Sequence, residues 1–501
     1  MGAKPRPLRE RLFVQLGLWL RSLRLEHPVT RASLVTVTVL LLFLLNPFGL
    51  KDASQRHSDN LVLNFSASFY HARHQNDITV LLLDDQYLRD YAKRYPVAYP
   101  ELSQLLSNIA LLKPRMLFLD FFQHHIHSDG FESWLATLQR LEQGGLNVVM
   151  GRQPWYCANQ GEGLPQRLAE VGVRYGAVAW RDEEHYYPSF VTAKIDNDIC
   201  QTELTYPSAA MAIYGIDSEL ARPGWLAQQR AEGEFSNALV VRWPDTAPDK
   251  QNVFFSQGKC SNAPSAPLLR SIKRIWHSFG YGVSNADSYQ QRNQQECPPY
   301  LSLSAATLLA PGALGHPEVQ AAIRDRFVLI GYGFTGSADL VLTPLHGTLP
   351  GVYYHAAALE NLLTYQQHYW RVPEDVMGSN LNLADLLEGI LQTLVLFAVM
   401  LFRFRYLEQS PALSTSELSR YAVWLLLIVF ALVAMSLALS IWGFRYGLVN
   451  WYVYMMIFFI SLPTLLQVLR MMLQARTARL LVTTERLHHQ KHLSKKLKEE
   501  L

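Results

Sequence analysis

The sequence predicts an α/β domain on a mostly parallel, helix-covered sheet, joined to four transmembrane α-helices. Two observations carry this expectation. Short, near-continuous apolar runs alternate with amphipathic stretches through the middle of the chain, the pattern of parallel strands buried on both faces. Four longer apolar blocks, free or nearly free of charge, flank that middle region, and a membrane span needs about 20 such residues.

In chain order, residues 1–31 form a basic segment holding Lys4, Arg6, Arg9, Arg11, Arg21, Arg24 and Arg31. Within it, "LRERLFVQLGLWLRSLRL" (8–25) spaces Leu, Phe and Trp with Arg as a helix lying on a membrane face would, and an ordinary juxtamembrane helix fits the pattern equally well. Residues 32–50 make the first predicted span. The long basic region before it and the lack of an A-x-A-like site after it favour an uncleaved anchor over a signal peptide. The second predicted span, 385–402, is short because Glu388 sits near one end; the third, 421–444, and the fourth, 446–469, are uncharged throughout. Arg403, Arg405 and Arg420 in the 403–420 loop, and Arg470, Arg476, Arg479 and Arg486 after the last span, add to the N-terminal positive charge. Positive-inside reasoning places both termini and that loop in the cytoplasm and exports residues 51–384. The net charge of +3 therefore reads as an orientation signal and carries no expectation of nucleic-acid binding.

The exported segment opens with "DITVLLLDDQYL" (77–88), then a helical "PELSQLLSNIALLKP", a strand at "RMLFLDFF" (115–122), a helix around "FESWLATLQRLEQGG" and a strand at "LNVVMG" (146–151). "YGAVAW" (175–180), "ALVVRWP" (238–244), "NVFFS" (252–256) and "DRFVLIG" (325–331) read as further strands, and the polar 257–299 stretch as an insertion or long loop. All four cysteines, Cys157, Cys200, Cys260 and Cys297, fall in the exported part, where disulfides persist. Four cysteines allow three connectivities, and the sequential one, Cys157 with Cys200 and Cys260 with Cys297, is the expectation. No CxxC spacing suggests a thiolate zinc site. "HHIH" (124–127) could bind a transition metal, but a solvated loop is the simpler reading. "GYGFTG" (331–336) lacks both the P-loop lysine and the GxGxxG order. Residues 470–501 are predicted helical, with Leu473, Leu480 and Leu487 seven apart, and too short to bury a catalytic core.

Several pieces resemble the CHASE type 2 domain, an extracytoplasmic sensory module of bacterial signalling proteins. They are "ITVLLLDDQYL", "LKPRMLFLDFF", "TYPSAAMAI", "ALVVRWP" and above all "FVLIGYGFTGSADLVLTPLHGTLPGVYYHAAALENLL". The last resembles the family's closing pattern at Gly331, Asp339, Thr343, Pro344, Pro350, Gly351, Val352, His355 and Ala356. One span before the domain and three after it match the family's layout. The chain departs from the pattern at "RDEEHYYPSF" (181–190) and at "HHIH". The resemblance implies fusion of the spans to a cyclase or kinase, whereas here a helical tail is expected in that place.

Asp84 and Asp85, Asp120 and Asp339 all follow apolar strands. Open parallel sheets place their crevices outside the carboxyl ends of strands, so these carboxylates could meet in a pocket for a cationic or hydroxylated ligand or a divalent ion. Alternatively each caps a helix or fixes a turn. Val352, His355, Ala356, Leu359 and Leu363 share one helical face, which makes His355 a buried, hydrogen-bonded residue. Pro350-Gly351 turns into that helix, and Thr343 before Pro344 is held extended.

The expectation is thus a multi-pass bacterial inner-membrane sensor. Its periplasmic domain would bind an unidentified signal, and residues 470–501 would contact a separate cytoplasmic signalling protein or a second copy. No cofactor, metal or catalytic group is expected. A structural subunit of an envelope complex is the alternative, and a periplasmic carboxylate- or metal-dependent enzyme a more distant one.

Overall fold

The computed structural model describes residues 27–45, 60–371 and 383–408, apart from 61, 92, 123–124, 155–163, 180–185, 198–199, 255–265, 273–296 and 338, together with part of 423–445 and residue 477. The chain divides into two compact units, Asn60–Glu374 and one made of Met1–Asp59 with Asp375–Leu501.

The Asn60–Glu374 unit holds strands β1 (Ile78–Asp84), β2 (Met116–Leu119), β3 (Val148–Arg152) and β4 (Arg174–Ala177). A hairpin of β5 (Phe190–Asn197) and β6 (Cys200–Pro207) follows, then β7 (Leu301–Ser304), β8 (Phe327–Gly333) and a second hairpin of β9 (Leu340–Thr343) and β10 (Gly347–Pro350). Six of these form one sheet in the order β4-β3-β2-β8-β1-β7, and every pairing in it is parallel. The last strand of the sheet to be made, β8, is inserted between the first two, so β1 and β2 each pair with β8 and not with each other.

Both faces are covered, which is why the strands read as unbroken apolar runs rather than alternating ones. In β2, Leu117 and Leu119, followed by Phe121, face a core shared with the helices Tyr99–Leu111 and Phe131–Gln143. Met116 and Phe118 face the opposite core, closed by the helices Ala209–Ala221 and Val352–Tyr365. Both expected helices after β1 and β2 are present. Pro100 at the start of Tyr99–Leu111 suits the first helical turn, where no backbone donor is lost.

Two expected strands are different structures. Residues 238–244 are extended but meet no neighbouring strand: Leu239 makes isolated bridges to Tyr187 and Arg371. The Arg242 N–H donates to the Asn361 side chain (3.0 Å) and the Val240 N–H to the Trp370 carbonyl (2.7 Å). Residues 252–256 fall partly in a short helix, Gln251–Phe254, whose Gln251 side chain bonds both the Ser302 N–H and the Ser302 carbonyl on β7.

The second unit contains the helices Pro28–Leu45 and Leu383–Phe402. They pack through Ala32 and Val39 against Val395, Leu396, Val399 and Met400. Among the described residues no helix is long and apolar enough to cross a membrane. Residues 46–50 of the first expected span, much of the third and all of the fourth lie outside the described residues, as do the 8–25 helix and, save Thr477, the tail.

Gly331 lies where β8 meets the start of the Val352–Tyr365 helix. A Cβ there would stand 2.6 Å from Val352 Cβ, and Val352 is β-branched and fully buried, so it cannot swing aside. Gly331→Ala is expected to push the helix off the sheet at a cost of about 1–3 kcal/mol. Thermal unfolding of the purified variant should fall accordingly; an unchanged midpoint would mean that the helix moves freely on β8.

Candidate functional site

The carboxyl ends of β1, β8 and β2 lie side by side and carry three of the four aspartates named above, with Asp339 in the loop beyond β8. The structure uses them in two different ways.

Asp84 and Asp85 secure the local chain. Asp84 caps the helix Asp85–Asp90 by accepting from the Tyr87 N–H (2.9 Å), and it also accepts from the Ser304 hydroxyl of β7 (2.6 Å). Asp85 accepts from both the backbone N–H (3.0 Å) and the hydroxyl (2.6 Å) of Thr335, pinning the loop after β8. "GYGFTG" therefore supplies the last residues of β8 and this Asp85 anchor.

Asp120 and Asp339 turn toward the Val352–Tyr365 helix. Asp120 extends the β2 ladder, its N–H donating to the Ile330 carbonyl at 2.7 Å. By strand alternation its side chain joins Met116 and Phe118 on one face, where His355 packs edge-on against the Phe118 ring. The His355 Nε2 lies 3.4 Å from Asp120 Oδ1, and both side chains are about one-twentieth exposed, at 5% and 4%. On its other side His355 Nδ1 meets the Tyr187 hydroxyl at 2.8 Å. That hydroxyl accepts from the Ala210 N–H (2.9 Å), a donor in the first turn of the Ala209–Ala221 helix with no intrahelical partner. The Tyr187 hydroxyl and His355 thus share a hydrogen bond at Nδ1, while Nε2 faces Asp120. Burial pushes the Tyr187 phenol well above the ordinary tyrosine range. Among the described residues Asp120 Oδ2 is buried and accepts no hydrogen bond.

Asp339 is exposed and stands directly over Gly351 at the start of the same helix, occupying the space a Cβ would take. Its carboxyl is raised to about 6, first by partial burial and then by the negative charge of Asp120, with His355 opposing. Its carbonyl accepts from the Gly351 N–H at 3.0 Å.

The remaining closing-pattern residues shape the β9–β10 hairpin. The Thr343 hydroxyl donates to the Gly347 carbonyl and accepts from the His346 N–H, both at 2.9 Å. The Pro344 carbonyl accepts from Asn64 (2.7 Å), and Pro350 pairs with Leu340. His127 donates to the Val97 carbonyl (3.0 Å) and stacks near Tyr99; His124 lies outside the described residues. Among those described, no group of three His, Cys, Asp or Glu could hold a metal ion. Cys297 is disulfide-bonded; Cys157 and Cys260 lie outside the described residues, as does the side chain of Cys200.

Two residues that sequence reasoning passed over belong to this neighbourhood. Tyr187 lies in the stretch that departs from the family pattern, and that departure was its only signal. Glu360, one turn and a half beyond His355, is fully buried. Its Oε1 accepts from the Thr364 hydroxyl (2.6 Å) and the His74 N–H (3.4 Å), while Oε2 has no hydrogen bond among the described residues. A lone acidic residue inside "HAAALENLL" was its signal.

The fold is a parallel-sheet α/β domain, with a strand-end crest and a buried polar chain under it. The chain belongs to the CHASE2 domain family, whose model matches residues 35–398. CHASE2 domains are a family of extracytoplasmic sensory domains, which supports a sensor role. No curated protein and no solved structure matches the chain.

Burial pushes the Glu360 carboxyl up to about 8 from 4.5, against hydrogen bonds that lower it. The folded state therefore holds a proton that the unfolded state releases between those pH values. Stability is greatest below about 4.5 and declines as pH rises to about 8, by at most about 1.4 kcal/mol per pH unit for this one group. Glu360→Gln is expected to flatten the thermal midpoint across that window and to exceed the parent at pH 8. Parallel pH profiles for the two proteins would contradict this.

Proposed function

We propose that this protein is a bacterial inner-membrane sensor whose periplasmic CHASE2 domain detects its signal at the crest above β2 and β8. The signal then passes through the Val352–Tyr365 helix and the membrane spans to a separate cytoplasmic partner. The observation that carries the reading is the Asp120 side chain, a buried carboxylate with one oxygen lacking a donor, set between a solvent-facing carboxylate and a buried histidine. A ligand shifts a conformational equilibrium only by binding one state better. A group that fills this unmet hydrogen bond would favour the state in which His355 and Asp120 are held together.

The membrane arrangement, with spans near 32–50, 385–402, 421–444 and 446–469 and both termini cytoplasmic, is part of the proposal. It is supported by the outer faces of the two packed helices, where Leu34, Val37, Leu41, Ile390 and Leu394 are exposed. Contiguous exposed apolar surface of this kind suits lipid contact rather than water. The reading is non-enzymatic. Tyr187 and His355 have the order of a nucleophile and base, but the Tyr187 oxygen is buried and already occupied by a helix-end N–H and an imidazole, so no substrate can approach it. The partner is proposed to dock on residues 470–501, whose Leu473, Leu480 and Leu487 sit at heptad spacing suited to pairing with a second copy.

Mild-detergent purification of the full chain, compared with one lacking residues 471–501, tests this. A cytoplasmic signalling protein retained by the full chain and lost from the truncated one is expected. Envelope partners that do not depend on the tail would overturn it in favour of a structural subunit.

A further inference from the structure

The crest sets two carboxylates, Asp120 and Asp339, near one imidazole, that of His355. Asp120 Oδ1 faces His355 Nε2 at 3.4 Å, and the Asp120 side chain is only 4% exposed. Asp120 Oδ2 is buried without a hydrogen bond among the described residues. A buried carboxylate oxygen with no donor is among the most costly groups a fold can contain, and in native proteins such a group calls for an explanation, a bound water or a bound group from outside the chain among them. Asp339 is exposed to solvent and stands over Gly351, one helical turn before His355 in the same helix, and so supplies a second carboxylate to the crest.

The chemistry of the missing donor is constrained. A neutral hydroxylated ligand would satisfy the oxygen and leave two carboxylates facing one imidazole. A divalent ion is the wrong shape of partner: hard cations take six or more oxygen ligands, and no group of three His, Cys, Asp or Glu among the described residues could hold a metal. A compact cation bearing several N–H donors fits both needs, since charge-assisted hydrogen bonds to carboxylates are the strong ones. A primary ammonium, with three donors on one small centre, can reach a nearly buried oxygen as a broad planar guanidinium cannot.

We propose that Asp120 and Asp339 together bind the primary ammonium group of a small organic cation, Asp120 Oδ2 accepting one N–H and the Asp339 carboxylate another. His355 acts here as a positioning residue, holding Asp120 by Oδ1 so that Oδ2 faces the ligand. The proposal names the ligand class of the sensing crest and rests on that reading of it.

The test uses the full chain in detergent, titrated calorimetrically with n-propylammonium, tetramethylammonium, magnesium and calcium chlorides. Propylammonium is expected to bind, and tetramethylammonium, which has the charge but no N–H, is not. Asp339→Asn and Asp120→Asn should each weaken propylammonium by about 10-fold or more, the loss of one charge-assisted hydrogen bond. Asp339 is exposed, so its variant keeps the test meaningful if Asp120→Asn does not fold. Equal binding of both ammonium ions, binding of neither, or a divalent ion whose binding is lost in the same variants would each overturn the proposal. The sensor reading fails separately: propylammonium that binds the crest without altering recruitment of the tail partner would contradict sensing while leaving the ammonium site intact.

Discussion

The burial of the His355 imidazole between Tyr187 and Asp120 is the constraint on which the rest of the domain's functional end depends. This one side chain joins the end of β2, the Val352–Tyr365 helix and, through Tyr187, the first turn of Ala209–Ala221. Buried polar groups are tolerable only when paired. Moving the helix away from β2 would strand a histidine, a tyrosine and a helix-end N–H together. The network therefore favours discrete arrangements over gradual sliding, which is the property a signalling element needs.

That contact exists because of strand order. β8 is inserted between β1 and β2, and the chain leaves it through the β9–β10 hairpin straight into the helix that carries His355. Gly331 lets the helix start close to β8, and Gly351 leaves space for Asp339 over its first turn. The same helix buries Glu360 further along and delivers the chain toward residues 383–402. A change at the crest and a change in this helix are thus changes in the same body. This is the physical basis for placing the sensing step at the strand ends and not in the less regular 186–254 region.

Much of this was legible in the residues. The apolar runs at 78–84, 116–119, 148–152 and 327–333 are strands because both faces are buried, so periodicity and length sufficed. The 238–244 run has the same composition but meets no partner strand, and pairing is a property of the fold that no local pattern encodes. β7, with its "LSLS" alternation beside the 257–299 stretch, was hidden for the opposite reason: it is too short to stand out. Aspartates at strand ends announced a crest, yet only the strand order separates Asp84 and Asp85, which hold their own loops, from Asp120 and Asp339, which face His355. Tyr187 was legible only as part of a stretch that departs from the family pattern, since its role comes from a helix more than 20 residues away and another more than 160 residues away.

The most direct test of the coupling is amide hydrogen exchange on the full chain, comparing the parent with Asp120→Asn. If the buried chain holds the helix to the sheet, exchange should quicken by roughly 10-fold through Val352–Tyr365 and the first turn of Ala209–Ala221, while β3 and β4 stay protected. Unchanged protection in both helices would contradict the account: Asp120 would then be a local feature of β2, and the crest would have no mechanical link to the rest of the chain.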